Sequence, residues 1–465
     1  MKLVLLICVL LTGCAVKLPE RGRAAPDFPV SWRSDGISTN APMSAWWKQF
    51  GDESLNRLVS ESLNRNHDLQ IAAARLEQSR LRARMAGAEL IPQVNASLEG
   101  SKQRNNFIGL PLPGGGGVLT SRSESYRFSL ATSWELDLWG RIRVGQLAAV
   151  ADSETSRAEL AAARHSLAGQ VVKAWLALTE ARQQEAYALT NVSILETTVG
   201  QVRVRYELGI RPALDLRLAE ANLALAGAVV EQWRAVKEQA RRQLEVLLGR
   251  YPTGRLRARA ALPGMLAKVP VGLPSDLLMR RPDLHAARTR LAAADARIAQ
   301  ARAELYPKIS LTASGGTSSD ELENLMNNSL LVWSFGANLA QPLFAGGRLR
   351  ANVKLNEARA LEEMMRYRGV VLNAFLEVET SLAKAGALKE RESRLSAAGE
   401  VSRQALRLAE DRYARGLESF DTVLDSQRRV MEIESQRVAV RRQQLENRVN
   451  LHLALGGGFG KGARP

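Results

Sequence analysis

The chain repeats itself, and a repeat at long spacing constrains the fold before any single element is read. The segment from Arg75-Leu76 to Ala88-Glu89-Leu90-Ile91-Pro92-Gln93-Val94 matches Arg290-Leu291 to Ala303-Glu304-Leu305-Tyr306-Pro307-Lys308-Ile309 without a gap. Gly140-Arg141-Ile142-Arg143 matches Gly347-Arg348-Leu349-Arg350, and Arg205-Tyr206-Glu207-Leu208-Gly209 matches Arg412-Tyr413-Ala414-Arg415-Gly416. Leu247-Leu248-Gly249 answers Ala454-Leu455-Gly456. Between Gly140 and Ala174-Trp175-Leu176 the first copy reads as about seven residues longer than the second between Gly347 and Ala374-Phe375-Leu376, and one heptad leaves a helical packing stripe in phase.

Each copy reads helix, strand, strand, long helix, turn, helix. The first helix, Leu55 to Glu89, ends before Pro92, because the residue preceding a proline is pushed out of the α region. The hydrophobic period then changes from helical to alternating. Val94, Ala96 and Leu98 alternate with Asn95, Ser97 and Glu99, and Tyr126, Phe128, Leu130 and Trp134 with Arg127, Ser129, Ala131 and Ser133. In the second copy Ile309, Leu311 and Ala313 oppose Ser310, Thr312 and Ser314, while Leu331, Trp333, Phe335 and Leu339 oppose Ser334, Gly336 and Asn338. Such pairs fit membrane strands, apolar toward lipid and small and polar toward water, at about ten residues per strand. They fit equally two soluble hairpins with one buried face. Four strands cannot close a barrel, and an open edge cannot stand in lipid, so membrane-spanning strands would need partners from further copies. Three copies would supply twelve, within the usual even-numbered range.

From Gly140 to Leu208, and from Arg348 to Arg415, no proline interrupts a helical pattern of roughly 68 residues, on the order of 100 Å at the α-helical rise. Helices this long belong to coiled coils, fibres or repeat assemblies. Gly209-Ile210-Arg211-Pro212 and Gly416-Leu417-Glu418-Ser419 break them. Returning helices are expected from Ala213 to Leu248 and from Phe420 to Leu455. Alanine runs, Leu160-Ala161-Ala162-Ala163 and Leu291-Ala292-Ala293-Ala294, permit close helix approach.

Aromatics make up only 5% of the chain, which suits long helices packed through small side chains. Beyond the amino terminus no apolar run reaches the roughly 18 residues of a transmembrane helix. The net charge of +16 is spread along helices among glutamates, without stacking aromatics, and so describes solvated faces better than a nucleic-acid surface. His67, His165, His285 and His452 are scattered, and there is no HExxH and no cysteine pair. Gly114 to Gly117 lack the lysine and hydroxyl residue of a phosphate loop. An enzyme needs several convergent groups, and the inventory offers none.

Met1-Lys2, the apolar run Leu3 to Leu11, and Thr12-Gly13 before Cys14 form a secretory signal, too short to span a bilayer as a mature helix. Leu11-Thr12-Gly13-Cys14 resembles the lipobox of bacterial lipoproteins, in which the cysteine receives diacylglycerol, and Ala15 resembles the sorting residue of those sent to the outer membrane. Each buried methylene of such an anchor contributes about 0.8 kcal/mol. The alternatives are an ordinary cleaved signal with a chance cysteine, or a disulfide between Cys8 and Cys14.

With these residues the chain resembles the TolC-like outer membrane factors, and most closely the OprM/NodT branch of efflux lipoproteins. The resemblance rests on Gly272-Leu273-Pro274-Ser275-Asp276-Leu277-Leu278-Met279-Arg280-Arg281-Pro282-Asp283-Leu284, on Trp134-Glu135-Leu136-Asp137-Leu138-Trp139-Gly140-Arg141, and on Pro342-Leu343-Phe344-Ala345-Gly346-Gly347-Arg348. It implies a mixed α+β membrane protein: a trimeric twelve-stranded β-barrel, four strands per subunit, continued by a long periplasmic α-helical barrel with an equatorial collar. The loops 105–121 and 317–328 would face outside and the glycine turns would form the periplasmic tip. The division expected is a signal peptide at 1–13, a lipidated segment at 14–50, repeats at 51–250 and 275–456, an equatorial linker at 251–274 and a tail at 457–465.

The function implied is the outer-membrane channel of a tripartite, RND-type efflux pump that passively exports drugs or other small toxic molecules. Its partners would be two further copies, a periplasmic adaptor, an inner-membrane RND transporter and outer-membrane lipid, with no nucleic acid and no cofactor beyond the lipid on Cys14. Asp421, Asp425 and Arg428 match the region that narrows the closed tip. Asp421 and Asp425 lie four apart on one helix face, so threefold symmetry would make each a ring of carboxylates. Asp425 and Arg428 match family positions linked to the closed state, whereas Asp421 stands where the family often has leucine, and solvated helix charges are the plain reading of the aspartate pair. Adaptor contact is expected at Arg205, Tyr206, Gly209, Arg412, Tyr413, Gly416 and Leu417, since tyrosine and arginine anchor interfaces, although the two tyrosines could simply close their turns. A type I protein-secretion outlet would share the fold. A coiled-coil lipoprotein without a pore would explain the helices and Cys14, but not two strand pairs repeated in step with them.

Overall fold

The computed structural model describes residues 32, 45–108, 119–257, 259–264, 269 and 277–457. The signal segment, Cys14, residues 272–276 of the mid-chain motif and the tail after 457 lie outside the described residues. In chain order the elements are α1 (Glu53–Arg65), α2 (His67–Ala88), β1 (Gln93–Phe107), β2 (Leu119–Leu136), α3 (Arg141–Glu207), α4 (Ala213–Leu247), α5 (Pro282–Ala303), β3 (Lys308–Ser319), β4 (Leu331–Ala340), α6 (Arg348–Ala414) and α7 (Phe420–Ala454). A turn of 3-10 helix, Trp46–Phe50, precedes α1, and one helical turn, Leu277–Arg280, precedes α5. No helix among the described residues is long and apolar enough to cross a membrane.

Contacts gather these elements into two compact units, each drawing on both repeats. One contains 76–155 and 288–366. Its sheet has the order β1-β2-β3-β4, antiparallel throughout. The register puts Val94, Thr132, Ala313 and Phe335 on one rung, and Leu98, Phe128, Thr317 and Leu331 on another, so the apolar residues of all four strands share a face. The opposite face carries Ser97, Ser129, Ser314 and Ser334, with hydroxyl pairs at 2.8 Å between Ser97 and Ser129 and between Ser314 and Ser334. The alternation expected from sequence is therefore the face pattern of the sheet. The first hairpin is longer than anticipated, with strands of 15 and 18 residues against 12 and 10, and its ends consume part of the predicted loop 105–121.

The Trp134 to Arg141 motif turns sheet into helix, and its polar groups are committed to that turn. Trp134 Nε1 donates to Leu90 O at 3.0 Å and Trp139 Nε1 to Pro307 O at 2.7 Å. Glu135 takes a bidentate pair from Arg141 at 2.9 Å. Asp137 accepts from the amides of Ile142 and Arg143 at 2.9 and 2.8 Å, filling donors that a helix start leaves orphaned. Small residues then set the helix approach, with Ala293, Ala299 and Ala360 fully buried.

The second unit contains, among the described residues, 45–75, most of 156–287, and 367–457. Its core packs Trp46, Phe50, Leu55, Val59, Trp175, Leu176, Leu178, Leu244 and Val449. Here two sequence expectations are corrected. The long helices α3 and α6 are both 67 residues and run between the matched glycines, so there is no heptad insertion. Pairing Trp175 with Phe375 was a slip of one heptad in a sequence that looks alike every two turns. The returning helices match too, at 35 residues each.

The first predicted helix, Leu55 to Glu89, is in fact two, broken at Asn66 with ψ 130. Asn66 Oδ1 accepts from the amides of Asp68 and Leu69 at 2.9 and 3.2 Å, an N-cap for α2, while its Nδ2 donates to Leu247 O at 3.1 Å. The second repeat breaks at the matching point: Arg281, 7% exposed, donates to Ala454 O at 3.0 Å, holds Asp283 at 3.0 and 2.7 Å, and reaches Glu377 at 2.6 Å. Burial works against its charge, but the bonds to Asp283 and the charges of Asp283 and Glu377 outweigh that and hold the guanidinium above its ordinary value.

Candidate functional site

The residues singled out for gating and docking converge on the two helical turns, both in the second unit. α3 ends in paired capping bonds, Ile210 N to Arg205 O at 2.8 Å and Gly209 N to Tyr206 O at 2.9 Å. α6 ends the same way, Leu417 N to Arg412 O at 2.9 Å and Gly416 N to Tyr413 O at 3.0 Å. Both require a left-handed residue after the helix, and Gly209 and Gly416 sit at φ +70° and +77°. Beneath the turns, Val199, Val202, Leu216 and Ala219 pack with Ala409, Tyr413, Phe420, Val423 and Leu424, so α3, α4, α6 and α7 share one apolar core.

That core divides the expected docking residues. Tyr413 is 8% exposed, with its ring 5.2 Å from Phe420, so it faces inward and supports the turn. Tyr206 is 43% exposed and Leu417 64%, and both face solvent with Leu208 and Ile210. Arg412 pairs with Glu418 at 3.5 Å. Arg205 holds its guanidinium 5.4 Å from the Tyr413 ring.

Arg211 was missed. It lies 4.2 Å over the same ring, and its Nη2 donates to Tyr413 O at 2.9 Å, tying the first turn to the second. The available signal was a charge change, since the position matching Arg211 in the second turn holds Glu418.

Asp421 lies in the first turn of α7, where the helix dipole favours an anion. Asp425 follows on the same face, and both are exposed. Arg428 Nη1 pairs with Asp425 Oδ1 at 3.3 Å, with side-chain exposures of 67% and 70%. An exposed pair within one helix adds little stability, so these charges are placed where a neighbour or solute can meet them. Of the scattered histidines, two meet at the far end of α7: His165 Nε2 lies 3.1 Å from Leu453 O, and His452, fully buried, stacks on Trp46 at 5.1 Å. No group of histidine, cysteine, aspartate and glutamate among the described residues could hold a metal ion.

The family model described as outer membrane efflux protein matches residues 58–250 and 273–457. The chain is 33% identical to outer membrane protein OprJ of Pseudomonas aeruginosa, across 98% of this chain and 96% of that protein. It is 32% identical to the pyoverdine export outer membrane protein OpmQ of Pseudomonas putida, across 97% and 95%. Among solved structures, the open state of the Neisseria gonorrhoeae MtrE outer membrane channel aligns with a TM-score of 0.85 at 30% identity, across 96% of this chain and 99% of that one.

Proposed function

Because the chain belongs to the outer membrane efflux protein family, we propose that three copies close into one duct, each lending four strands to a twelve-stranded barrel in the outer membrane. The protein is the outer-membrane channel of an RND-type efflux pump and not an enzyme. The observation that carries the trimer is the sheet itself. Its apolar face is bare, with Val94, Leu98, Trp333, Phe335 and Leu339 between 66% and 77% exposed, and among the described residues its outer strands β1 and β4 each lack a neighbour on one side. Lipid can cover the face but cannot bond the edges, so the edges must pair with other copies. Purified protein should run as three chains in native mass spectrometry and conduct in planar bilayers. A monomer, or a silent bilayer, would end this reading.

In the assembled duct Asp421 and Asp425 form carboxylate rings at the narrow end, with Arg428 bracing Asp425. Neutralising both aspartates with asparagine should reduce preference for cations and change the conductance; an identical current and selectivity would remove them from the gate. Arg205, Tyr206, Gly209, Arg412, Gly416 and Leu417 present the surface met by a periplasmic adaptor that joins the duct to an inner-membrane RND transporter, and Tyr413 holds that surface from below. Cys14 carries the lipid that tethers the amino terminus to the outer membrane. Its replacement by serine should remove the acyl mass from the mature protein.

A further inference from the structure

On the apolar face of the first hairpin the hydrophobic rungs stop at Tyr126, opposite Gly100. The next two rungs on that face are charged: Lys102 opposite Glu124, joined as an ion pair, and then Arg104 directly opposite Arg122. β3 ends at Ser319, level with Tyr126, so these rungs lie on the part of the hairpin that outruns the four-stranded sheet. Arg104 and Arg122 are both exposed, and neither has a hydrogen bond or ion pair among the described residues. The connecting segment 109–118 contains no aspartate or glutamate. Two like charges facing each other oppose strand pairing, a cost that solvent makes tolerable without removing. An anion between them would reverse its sign, because two guanidinium forks match a phosphate geometrically as well as electrically.

The level of the rung identifies the anion. From the rung of Leu136, Ile309 and Leu339 to that of Tyr126 is ten residues along β2. At about 3.4 Å per residue and a strand tilt of about 40°, that is on the order of 25 Å of membrane normal, the height of the apolar band of an outer-membrane barrel. Tyr126 then occupies the aromatic girdle, and the arginine rung lies about 10 Å beyond it, within reach of lipid headgroups for side chains that bend back toward the interface. The second hairpin offers no such rung. Its connection begins Asp320-Glu321-Leu322-Glu323.

We propose that Arg104 and Arg122 form a binding rung for the phosphates of outer-leaflet lipid, one in each subunit. The proposal rests on the barrel reading above, since it needs the apolar face to meet lipid. The test uses the purified full-length protein in detergent, titrated with bisphosphorylated lipid A, with the same lipid stripped of phosphate, and with inorganic phosphate. Native mass spectrometry should show bisphosphorylated lipid retained on the native chain and bound about tenfold more weakly by Arg104→Ala/Arg122→Ala, with Arg104→Lys/Arg122→Lys between them. The stripped lipid should bind both proteins equally weakly, and millimolar inorganic phosphate should not displace the bisphosphorylated form. Equal binding by native and alanine proteins would overturn the proposal, as would displacement by inorganic phosphate, which would mark a free-anion site. So would a fall in trimer melting temperature of the alanine protein without lipid, which would assign the arginines to a neighbouring copy's carboxylates. Conductance is recorded alongside. Both proteins should conduct, and a native protein that does not would break the barrel reading instead.

Discussion

The first repeat pins its broken helix with neutral groups: Ser62 Oγ and Asn66 Nδ2 both donate to Leu247 O, at 2.9 and 3.1 Å. The second pins the matching break with a buried cation, Arg281, which reaches Ala454 O while balanced by Asp283 and Glu377. The glycines that follow the returning helices are pressed against the same places, a Cβ on Gly249 meeting Arg65 O at 2.7 Å and one on Gly456 meeting Arg280 O at 3.0 Å. One backbone geometry thus tolerates two chemistries, because what it needs is a donor for the last helical carbonyls. The two joints should fail by different amounts. Arg281→Ala strands two carboxylates and should lower stability by about 3 kcal/mol, the low end for breaking a buried pair because Asp283 and Glu377 keep 40% and 52% side-chain exposure. Asn66→Ala loses a cap and a bond that Ser62 duplicates, about 1 kcal/mol. Equal shifts in thermal midpoint for the two proteins would show that the charged joint is no stronger than the neutral one.

Acid should separate the repeats next. Glu245 and His452 occupy matching positions near the ends of α4 and α7. Burial would raise the Glu245 carboxyl, but hydrogen bonds donated by the backbone amides of Gly254, Leu256 and Arg255 outweigh it and set it below its usual value. Its stabilisation therefore holds above its unfolded value of 4.5 and fades as pH falls through the lower, folded one. Burial, then the charges of Arg448 and His165, push His452 down from 6.5 to about 3. The unfolded chain then binds a proton that the folded chain refuses, so His452 costs nothing above pH 6.5 and destabilises progressively below it, by about 2 kcal/mol at pH 5. His165, lowered mainly by burial, adds in the same direction. Between pH 6.5 and 4.5 melting temperature should fall, and His452→Leu should flatten most of that slope. An unchanged slope would move the acid sensitivity elsewhere.

The two turns, by contrast, are alike in backbone. Neither Gly209 nor Gly416 would meet any atom within 4 Å if it carried a Cβ, so the main cost of a valine at either place is its left-handed conformation, at least about 1–2 kcal/mol. Trimers should survive both changes while drug resistance is lost. Resistance lost at one turn only would show that the adaptor engages that turn alone, and resistance retained at both would remove the turns from the docking surface.

What sequence made legible was whatever repeats locally. Strand faces follow from alternation, and the ends of the long helices from Gly209 and Gly416. Asn66 escaped because an asparagine within a helical pattern reads as surface unless its distant partner, Leu247, is known. The false heptad arose from the same periodicity that made the helices easy to find. The inward packing of Tyr413 could not be read from the sequence, because its cover, Arg211, lies 202 residues away. Asp421, Asp425 and Arg428 could be placed on one exposed helix face from their spacing alone.

The smallest expected effect concerns how the two turns are joined, and it separates packing from charge. Arg211 both covers the Tyr413 ring and bonds its carbonyl, so it couples a residue of α6 to the turn after α3. Arg211→Gln removes the cation from the ring and should cost about 1 kcal/mol, the magnitude of a partly exposed cation–π contact with its hydrogen bond. Tyr413→Phe keeps a ring for Arg211 to cover and should be nearly neutral, whereas Tyr413→Leu removes that ring face. If Arg211 acts through the ring, the protein carrying both Arg211→Gln and Tyr413→Leu should lose less than the sum of the two single losses, by at least about 0.5 kcal/mol in a double-mutant cycle. Strict additivity would mean that Arg211 does not act through the ring, and that its bond to the Tyr413 carbonyl, which Tyr413→Leu leaves in place, carries what it contributes to joining the turns.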